Sequence, residues 1–391
     1  MYSNYIKKIL NLEDVIVKKV IQKDLSVEFY IETKPAFHIC PCCGLSTKSI
    51  HDYRYQRIKD LPFQLKHCYL ILKKRRYTCS CGKKFYENYS FLPKYQQRTQ
   101  RLSYSIINEL RDTVSIKHVA TKANLSSATI CRLLDTLHYT IPALPKAVSI
   151  DEFKGNANTG KYQCILVDPI KKQVLDILPD RTQSHLSTYF KDIPRKERNR
   201  VKFFVCDMWQ PYVDLAKTYF PNAEIIIDKY HFIRQITWAL DRIRKHLQNT
   251  MPASLRKYYK RSRSLIHARY ATLKDEKKKE CDLMLTYNDD LRRAHSLKEW
   301  FYSICKETKY SIQRQEFREW ITNAESCGIK DFEEVAATYR RWSTGILNAF
   351  KYGITNGPTE GFNNKIKVMK RSSYGIRYFD RFRTRILHST N

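Results

Sequence analysis

Between residues 147 and 250 the chain alternates short apolar runs with longer amphipathic segments. Five of the runs have the length of a strand: one in KAVSIDEFKG, two in KYQCILVDPIKKQVLDILPD around a turn at Asp168 and Pro169, one in VKFFVCD and one in AEIIID. Segments with apolar residues at helical spacing follow the third, fourth and fifth runs. The predicted order is strand, strand, strand, helix, strand, helix, strand, helix, which is typical of an α/β domain on a mixed five-stranded sheet.

Aspartates mark the ends of two of these runs, Asp151 in the first and Asp207 directly after the fourth. If the two strands are parallel neighbours, their ends lie about 4.8 Å apart, and the two carboxylates could share a cation. An acid at the end of a strand is more often a helix cap or a turn residue. Each aspartate taken alone is therefore weak evidence of catalysis.

A third acid, Glu360, lies in the run TNGPTEGFNNKIKVMKR, among basic and amide residues. With Pro358 at the first helical position, Glu360 falls in the first turn of an amphipathic helix, where a carboxylate suits the helix dipole. It is either a salt-bridge partner or a metal ligand. Two strand-end aspartates and this glutamate could hold two magnesium ions, or manganese in their place, about 4 Å apart for phosphodiester cleavage.

Six of the 12 cysteines lie in the stretch from Cys40 to Cys81. Cys40 and Cys43 form a C-x-x-C pair, Cys79 and Cys81 form a shorter C-x-C pair, and a glycine follows each pair. In a reducing compartment such clustering favours a metal over disulfides, so we expect a zinc ribbon held by these four residues. Cysteines without metal are the alternative, and other side chains could replace a member of the shorter pair: Cys42, Cys68, His51 and His67.

Residues 101–137 predict three short helices, with a turn at Asn124 and Leu125 before the third. Ser126 or Ser127 can cap that third helix. A helix, a tight turn and a second helix match a helix-turn-helix, and a helical hairpin that only packs is the alternative. The following run HYTIPALPKAV, with two prolines, predicts a linker. We expect DNA contacts from three polar residues at the start of the third helix: Ser127, Thr129 and Arg132.

From about residue 234 to residue 351 the pattern is helical and very basic, which predicts an all-helical insertion. We expect its tryptophans in the core rather than stacked on bases: Trp238, Trp300, Trp320 and Trp342. After residue 364, cations recur at helical spacing or between aromatic residues, which suits contacts with DNA phosphates. A charged face on an ordinary closing helix is the alternative for these cations: Lys367, Arg371, Arg377, Arg381, Arg383 and Arg385.

The charge of the chain indicates a polyanionic partner. Its 391 residues suffice for two or three domains, and 71 Lys and Arg against 39 Asp and Glu give a formal charge of +32. Double-stranded DNA is the leading candidate for such a partner. No apolar run approaches the roughly 18 residues of a membrane-spanning helix, and the N-terminus has acids where a signal peptide has its apolar core. We therefore expect a soluble, cytoplasmic protein with no membrane partner.

Four runs resemble the signature blocks of the DDE transposases of the ISL-three family of bacterial insertion sequences: VSIDEFKG, VCDMWQPYVDLA, IDKYHF and TNGPTEGFNNKIKVMKRSSYGIRYFDRFRTRIL. The cysteine pairs and the helix-turn-helix are also similar to that family, although a longer spacing than C-x-C occurs in it. The resemblance implies a ribonuclease-H-like catalytic domain with Asp151, Asp207 and Glu360 as its metal-binding triad. It also implies a short D-x-x-H element formed by Asp228 and His231. We expect His231 beside the cleaved phosphate, and a structural role at the start of a helix is its alternative.

The expected protein is multidomain. It has a zinc-ribbon-containing domain (1–95), a helix-turn-helix domain (96–140), the first part of the catalytic domain (141–233), the helical insertion (234–351) and the last part of the catalytic domain (352–391). The expected function is binding of the terminal inverted repeats of an insertion sequence, followed by metal-dependent strand cleavage and strand transfer. We expect a homodimer or a larger assembly on nucleoid DNA. The alternatives are a non-catalytic DNA-binding regulator and a structure-selective nuclease of the same fold class.

Overall fold

A computed structural model describes residues 6, 8–12, 14–155, 159, 161–261, 263–372 and 376–391. The chain divides into a first unit, Met1–Thr140 with Lys365–Asn391, and a second unit, Ile141–Asn364. The structure thus divides the segment expected as the last part of the catalytic domain, residues 352–391, between the two units. Within the described ranges, no helix combines the length and the hydrophobicity that crossing a bilayer requires.

A sheet of long strands forms the N-terminal part of the first unit. The strands are β1 (Val15–Gln22), β2 (Ser26–Thr33), β3 (His38–Ile39), β4 (Ser46–Thr47), β5 (Ile50–Phe63), β6 (Lys66–Thr78) and β7 (Lys84–Tyr86). The order is β1-β2-β6-β5, β7 also pairs with β6, and β3 pairs with β4. The pairing of β2 with β6 is parallel and the other pairings are antiparallel. Along β6, Cys68, Leu70 and Leu72 are buried at alternate positions, as a strand with one core-facing side requires.

Three helices follow where the sequence predicts them, α1 (Gln100–Glu109), α2 (Ile116–Lys122) and α3 (Ser127–Asp135). A hydroxyl residue caps the start of each helix and accepts a backbone N–H three residues later: Thr99, Ser115 and Ser126. Asn124 has a φ of 52° in the turn before α3. The three helices share a core that includes Leu110, Val119 and Ile130.

The second unit contains the mixed five-stranded sheet that the sequence predicts. Its elements are β8 (Ala147–Lys154), β9 (Tyr162–Asp168), β10 (Gln173–Leu178), α4 (Gln183–Asp192), α5 (Arg195–Arg198), β11 (Phe203–Cys206), α6 (Gln210–Tyr219) and β12 (Glu224–Ile227). The strand order is β10-β9-β8-β11-β12. The strands β8, β11 and β12 are parallel, whereas β9 is antiparallel to both of its neighbours. Asp151 lies within β8 rather than at its end, because β8 continues for three residues beyond it.

Helices fill the rest of the second unit. They are α7 (Lys229–Thr250), α8 (Ala253–Arg261), α9 (Arg263–His267), α10 (Asp275–Thr286), α11 (Asp289–Ile304), α12 (Tyr310–Glu325), α13 (Lys330–Arg341) and α14 (Ser343–Tyr352), with a 3-10 turn at Tyr270–Thr272. No strand interrupts them in the described residues, as predicted for the insertion. The stripe of Phe232, Ile236 and Leu240 on α7 is fully buried. The helix α14 approaches β12 closely, since a Cβ on Gly345 would stand 2.5 Å from Cγ1 of Ile227.

The last helices are α15 (Gly357–Ser372), which begins in the second unit and ends in the first, and α16 (Phe379–Thr390). Within the first unit, Arg381 on α16 donates to both carboxylate oxygens of Asp135 on α3, over 2.7 and 2.6 Å. Arg385 is fully buried and donates to three backbone oxygens near the end of α1, those of Leu110, Asp112 and Val114. Arg385 is thus a structural residue rather than a solvent-facing phosphate contact.

Candidate active site and metal centre

Three aspartates lie side by side on neighbouring parallel strands of the second unit. The register of β11 pairs Val205 with Ser149 of β8 and Cys206 with Ile227 of β12. Continued by one or two residues, these registers place Asp207 beside both Asp151 and Asp228. Side chains at one register position leave the sheet on the same face, about 4.8 Å from strand to strand. We call Asp151, Asp207 and Asp228 the aspartate row.

Burial and mutual repulsion perturb the carboxyls of this row. The pKa of Asp151 is raised to about 7, mainly by burial and also by the charges of Asp207 and Asp228, although its carboxylate accepts the backbone N–H of Glu152. Burial also raises the pKa of Asp207, to about 6. The pKa of Asp228 is raised for the same reason, although its Oδ1 accepts the backbone N–H of Asn356 over 3.0 Å. Binding of protons or cations would therefore relieve the cost of burying these charges together.

The helix α15 brings Glu360 to the same region of the second unit. Glu360 is half-buried in the first turn of α15, as the sequence predicts, and Asn363 lies three residues further on the same helix face. Nδ2 of Asn363 donates to Oδ2 of Asp151 over 2.9 Å. The next residue, Asn364, is exposed. The contact from Asn363 therefore links the helix of Glu360 directly to the aspartate row.

A buried hydroxyl and amide cluster fixes the start of α15. Ser149, two residues before Asp151 on β8, donates to Oδ1 of Asn356 over 2.7 Å. Since the single Ser149 proton is used there, the hydroxyl of Thr359 donates to Ser149, over 2.6 Å. Ser149 and Thr359 are fully buried, and Asn356 is 1% exposed. The first turn of α15 is thus held against β8 by neutral groups.

Two arginines lie around the row, each stacked between two aromatic rings. Arg181 lies 4.6 Å from the ring centroid of Tyr162 and 5.1 Å from that of Trp209, and its Nη1 donates to both carboxylate oxygens of Glu152. Arg234 lies between two rings of α7. The charges of Arg234 and Arg181 both lower the pKa of Asp207, which opposes the effects of burial and of Glu152.

His231 is neutral near pH 7 in this setting. Its pKa is lowered to about 4, mainly by burial and also by the charge of Arg234. Nη2 of Arg234 lies 3.2 Å from Nδ1 of His231. Because a guanidinium can only donate, Nδ1 is the acceptor and the ring proton of His231 is on Nε2. His231 can therefore donate a hydrogen bond from Nε2 without carrying a charge.

The carboxylates suit hard divalent cations. Oδ1 of Asp207 and Oδ2 of Asp228 are buried oxygens with no hydrogen-bond partner in the described part of the chain. Unpaired buried carboxylate oxygens are costly, and coordination to magnesium or manganese would satisfy them. Asp151, Asp207 and Glu360 do not bring one ligand atom each within 4.8 Å of one another. A pair of cations about 4 Å apart does not require so tight a group, because its ligands spread over two coordination spheres.

The four predicted zinc ligands come together in the first unit. Cys40, Cys43, Cys79 and Cys81 have all their sulfur atoms within 4.8 Å, and no other group of three or more potential ligands does so in the described ranges. The Sγ atoms of Cys40 and Cys81 are 3.7 Å apart, and those of Cys43 and Cys79 are 3.4 Å apart. Zn–S bonds of about 2.3 Å in a tetrahedron require sulfur separations of about 3.8 Å. The geometry therefore fits zinc.

Glycines allow the two cysteine turns to close. Gly44 and Gly82 have φ angles of 75° and 81°, a region that side chains with a Cβ rarely adopt. The N–H of Gly44 donates to the carbonyl of Cys40, and that of Gly82 donates to the carbonyl of Cys79. Cys42 and Cys68 are not part of this group, and Cys68 lies in the core of the sheet.

The residues predicted to contact DNA lie in different surroundings. Most of them are exposed: Ser127 and Arg132 on α3, Lys367 and Arg371 on α15, and Arg377 before α16. Thr129 is half-buried, and its hydroxyl lies 2.9 Å from that of Ser126. Arg381 forms an ion pair with Asp135.

Among the tryptophans, Trp320 is fully buried as expected, but Trp238 is 44% exposed, so its prediction as a core residue is wrong.

Sequence reasoning missed the amides and arginines around the row. Asn356, Asn363 and Arg181 contact residues that are distant in sequence, and no local pattern marks such contacts. Asp228 could have been assigned to the row, because it follows the fifth strand as Asp207 follows the fourth.

Two family models and several curated proteins match this chain. A family model described as transposase matches residues 148–386, and one described as the zinc-finger of transposases IS204/IS1001/IS1096/IS1165 matches residues 36–81. The chain is similar to the transposase for insertion sequence element IS1001 of Bordetella parapertussis, with 27% identity over 371 residues, 90% of this chain and 88% of the relative. The transposase for IS1557 of Mycobacterium tuberculosis is 25% identical over 305 residues, 68% of each chain. A Lactococcus lactis protein named ATP-dependent protease is 33% identical over 106 residues. This match covers 27% of the chain, which is too little to support an inference about activity.

Proposed function

This chain belongs to the DDE transposase family of the ISL-three insertion sequences, and on that premise we propose that it binds the terminal inverted repeats of an insertion sequence and cuts and joins DNA strands there. We assign Asp151, Asp207 and Glu360, in a ribonuclease-H-like domain, as the ligands of two magnesium or manganese ions. The hydrogen bond from Asn363 to Asp151 carries this proposal, because it brings the Glu360 helix to the aspartate row.

Bound divalent ions supply activation of the attacking oxygen and stabilisation of the leaving oxygen. The residues of the chain hold the carboxylates in place, since Asn363 orients Asp151 and the backbone of Asn356 orients Asp228. His231 donates from Nε2 to an oxygen of the cleaved phosphate. Water first attacks the phosphodiester and frees a 3′-hydroxyl at the element end. That hydroxyl then attacks a target phosphodiester in line, so no covalent protein intermediate forms.

The first unit supplies the recognition of the element end in this proposal. The zinc ribbon and the pair of helices α2 and α3 bind the duplex, with Ser127, Thr129 and Arg132 near the bases. Exposed cations on and after α15 contact phosphates: Lys367, Arg371 and Arg377. The formal charge of +32 supports a polyanionic partner. Because two element ends must be joined to one target, the active assembly is at least a homodimer on DNA in the bacterial cytoplasm.

Element-end duplexes with labelled strands test this function. Asp151→Asn, Asp207→Asn and Glu360→Gln should each abolish magnesium-dependent strand cleavage while binding of the duplex stays at the wild-type level. Asp192→Asn removes an exposed carboxylate at the end of α4 and is the matched control, which should cleave normally. Wild-type rates of cleavage in any of the three variants would refute the metal-binding triad.

The same assay separates the two alternatives. A wild-type protein that binds element ends and never cuts them in magnesium or manganese is a regulator. Cleavage without transfer of the 3′-hydroxyl to a second duplex identifies a nuclease instead. Cleavage followed by joining supports transposase chemistry.

A further inference from the structure

Two aromatic rings are exposed on α7. Tyr230 is 54% exposed and Trp238 is 44% exposed, whereas Phe232 and Ile236 on the same helix are fully buried. The helix α7 starts directly after Asp228. Large rings usually stabilise a fold by burial, so an exposed pair next to a candidate active site points to a ligand that covers it.

Arg234 lies between these two rings. The spacing of 230, 234 and 238 places the three side chains on one face of α7. The guanidinium carbon of Arg234 is 5.4 Å from the ring centroid of Tyr230 and 4.5 Å from that of Trp238. Its Nη2 donates to Nδ1 of His231 over 3.2 Å. The Arg234 guanidinium therefore places a positive charge on this face, between the neutral His231 and Trp238.

Arg234 lacks the salt bridge that the other stacked arginine makes. Arg181 is paired with Glu152, whereas no carboxylate lies within salt-bridge distance of Arg234 in the described ranges. Nε of Arg234 is buried and makes no hydrogen bond to any described residue. An anion beside Arg234 would satisfy both the charge and this N–H.

We propose that Tyr230, Arg234 and Trp238 bind one nucleotide of the DNA strand beside the cleaved phosphodiester, with its phosphate on Arg234 and its unpaired base stacked on Trp238. This inference rests on the proposed function. DNA supplies both groups that the site needs, an anionic phosphate and a flat ring, one nucleotide apart. Stacking on an aromatic side chain stabilises a base that has left its pair.

Mispaired substrates test the inference in the full-length protein. Trp238→Ala should slow cleavage of a fully paired element-end duplex by about 5- to 150-fold, the range expected for loss of one stacked base. The defect should shrink at least severalfold on duplexes mispaired at a base next to the cut, because separating that pair is then cheap. Trp238→Phe keeps a ring and should retain most of the activity. Tyr287→Ala removes an exposed ring after α10 and is the matched control, expected to cleave both duplexes normally.

The outcomes distinguish this inference from the proposed function. A wild-type protein that does not bind or cut element ends refutes both. An active wild type with Trp238→Ala as fast as Tyr287→Ala on paired DNA overturns the inference alone. Equal slowing of Trp238→Ala on paired and mispaired duplexes indicates a structural role and also overturns it. Trp238→Gln, with a side chain suited to an exposed helix position, repeats the comparison if the alanine variant fails to fold.

Discussion

Replacing Asn363 by alanine should separate DNA binding from DNA cleavage. The Asn363 amide is 6% exposed and donates to Oδ2 of Asp151 over 2.9 Å. A hydrogen bond to an ionised group contributes about 1.5–3 kcal/mol. If this bond orients Asp151 in the transition state, its loss lowers the cleavage rate by about 10- to 150-fold. Binding of the element end should not change, because the variant alters no residue assigned to DNA contact.

The assay compares cleavage rates over a magnesium titration with duplex affinity measured by gel shift. A misoriented Asp151 binds the cation less well, so the half-saturating magnesium concentration should rise in Asn363→Ala. Asn364→Ala is the matched control, since Asn364 is the neighbouring amide on an exposed part of the same helix. It should cleave at the wild-type rate.

Two results would refute this reasoning. A folded Asn363→Ala protein with a wild-type cleavage rate and magnesium dependence shows that the amide does not position Asp151. A parallel loss of affinity and cleavage shows that Asn363 supports the fold in general.

Three further predictions concern pH, zinc and the closing helix. Burial raises the pKa of Asp151 from 3.8 to about 7, so the folded state binds this proton more tightly than the unfolded state does. The contribution of Asp151 to the free energy of unfolding of the metal-free protein should therefore fall as pH rises between those values. Thermal unfolding of the wild type and Asp151→Asn in chelator would show it as a difference between the two proteins that changes with pH, and magnesium should offset the loss in the wild type alone; an unchanged difference would contradict the raised pKa. In metal analysis, the Cys79→Ser protein should contain no zinc, whereas the Cys42→Ser protein should contain one zinc per chain. Equal zinc contents in the two variants would contradict the assigned ligands. Arg385→Ala should lower the free energy of unfolding by about 2–4 kcal/mol in urea, because three backbone carbonyls lose a buried donor. Arg381→Ala, which removes a partly exposed ion pair, should lower it by at most about 1 kcal/mol. Similar losses in the two variants would refute the carbonyl-binding role of Arg385.

The sheet and the row could largely be predicted from local pattern. Apolar runs of strand length place Asp151 and Asp207 after matching stretches of β8 and β11, and the resemblance of the sequence to its family is confirmed. The sequence marks Asp228 as an acid that follows a strand, like Asp207. Which strands are neighbours depends on pairing between distant segments, so only the register places the two side by side.

Helical periodicity could not choose between Asn363 and Asn364. With 3.6 residues per turn, positions three and four residues after Glu360 lie on either side of its direction. The contact with β8 distinguishes them, because Asn363 donates a hydrogen bond to Asp151, which lies 212 positions earlier in the sequence. The basic residues of α16 show the same limit, because only tertiary contacts distinguish the buried Arg385 from an exposed cation.

The hydrogen-bond donors around the row explain how acidic side chains can be buried there and still accept cations. Those that fix Asp151 and Asp228 are neutral, namely the Asn363 amide and the backbone N–H groups of Glu152 and Asn356. An arginine in any of these positions would cancel the negative charge that attracts a divalent ion. Neutral donors hold the geometry and leave that charge in place, which is the condition for a site that takes its cations from solution.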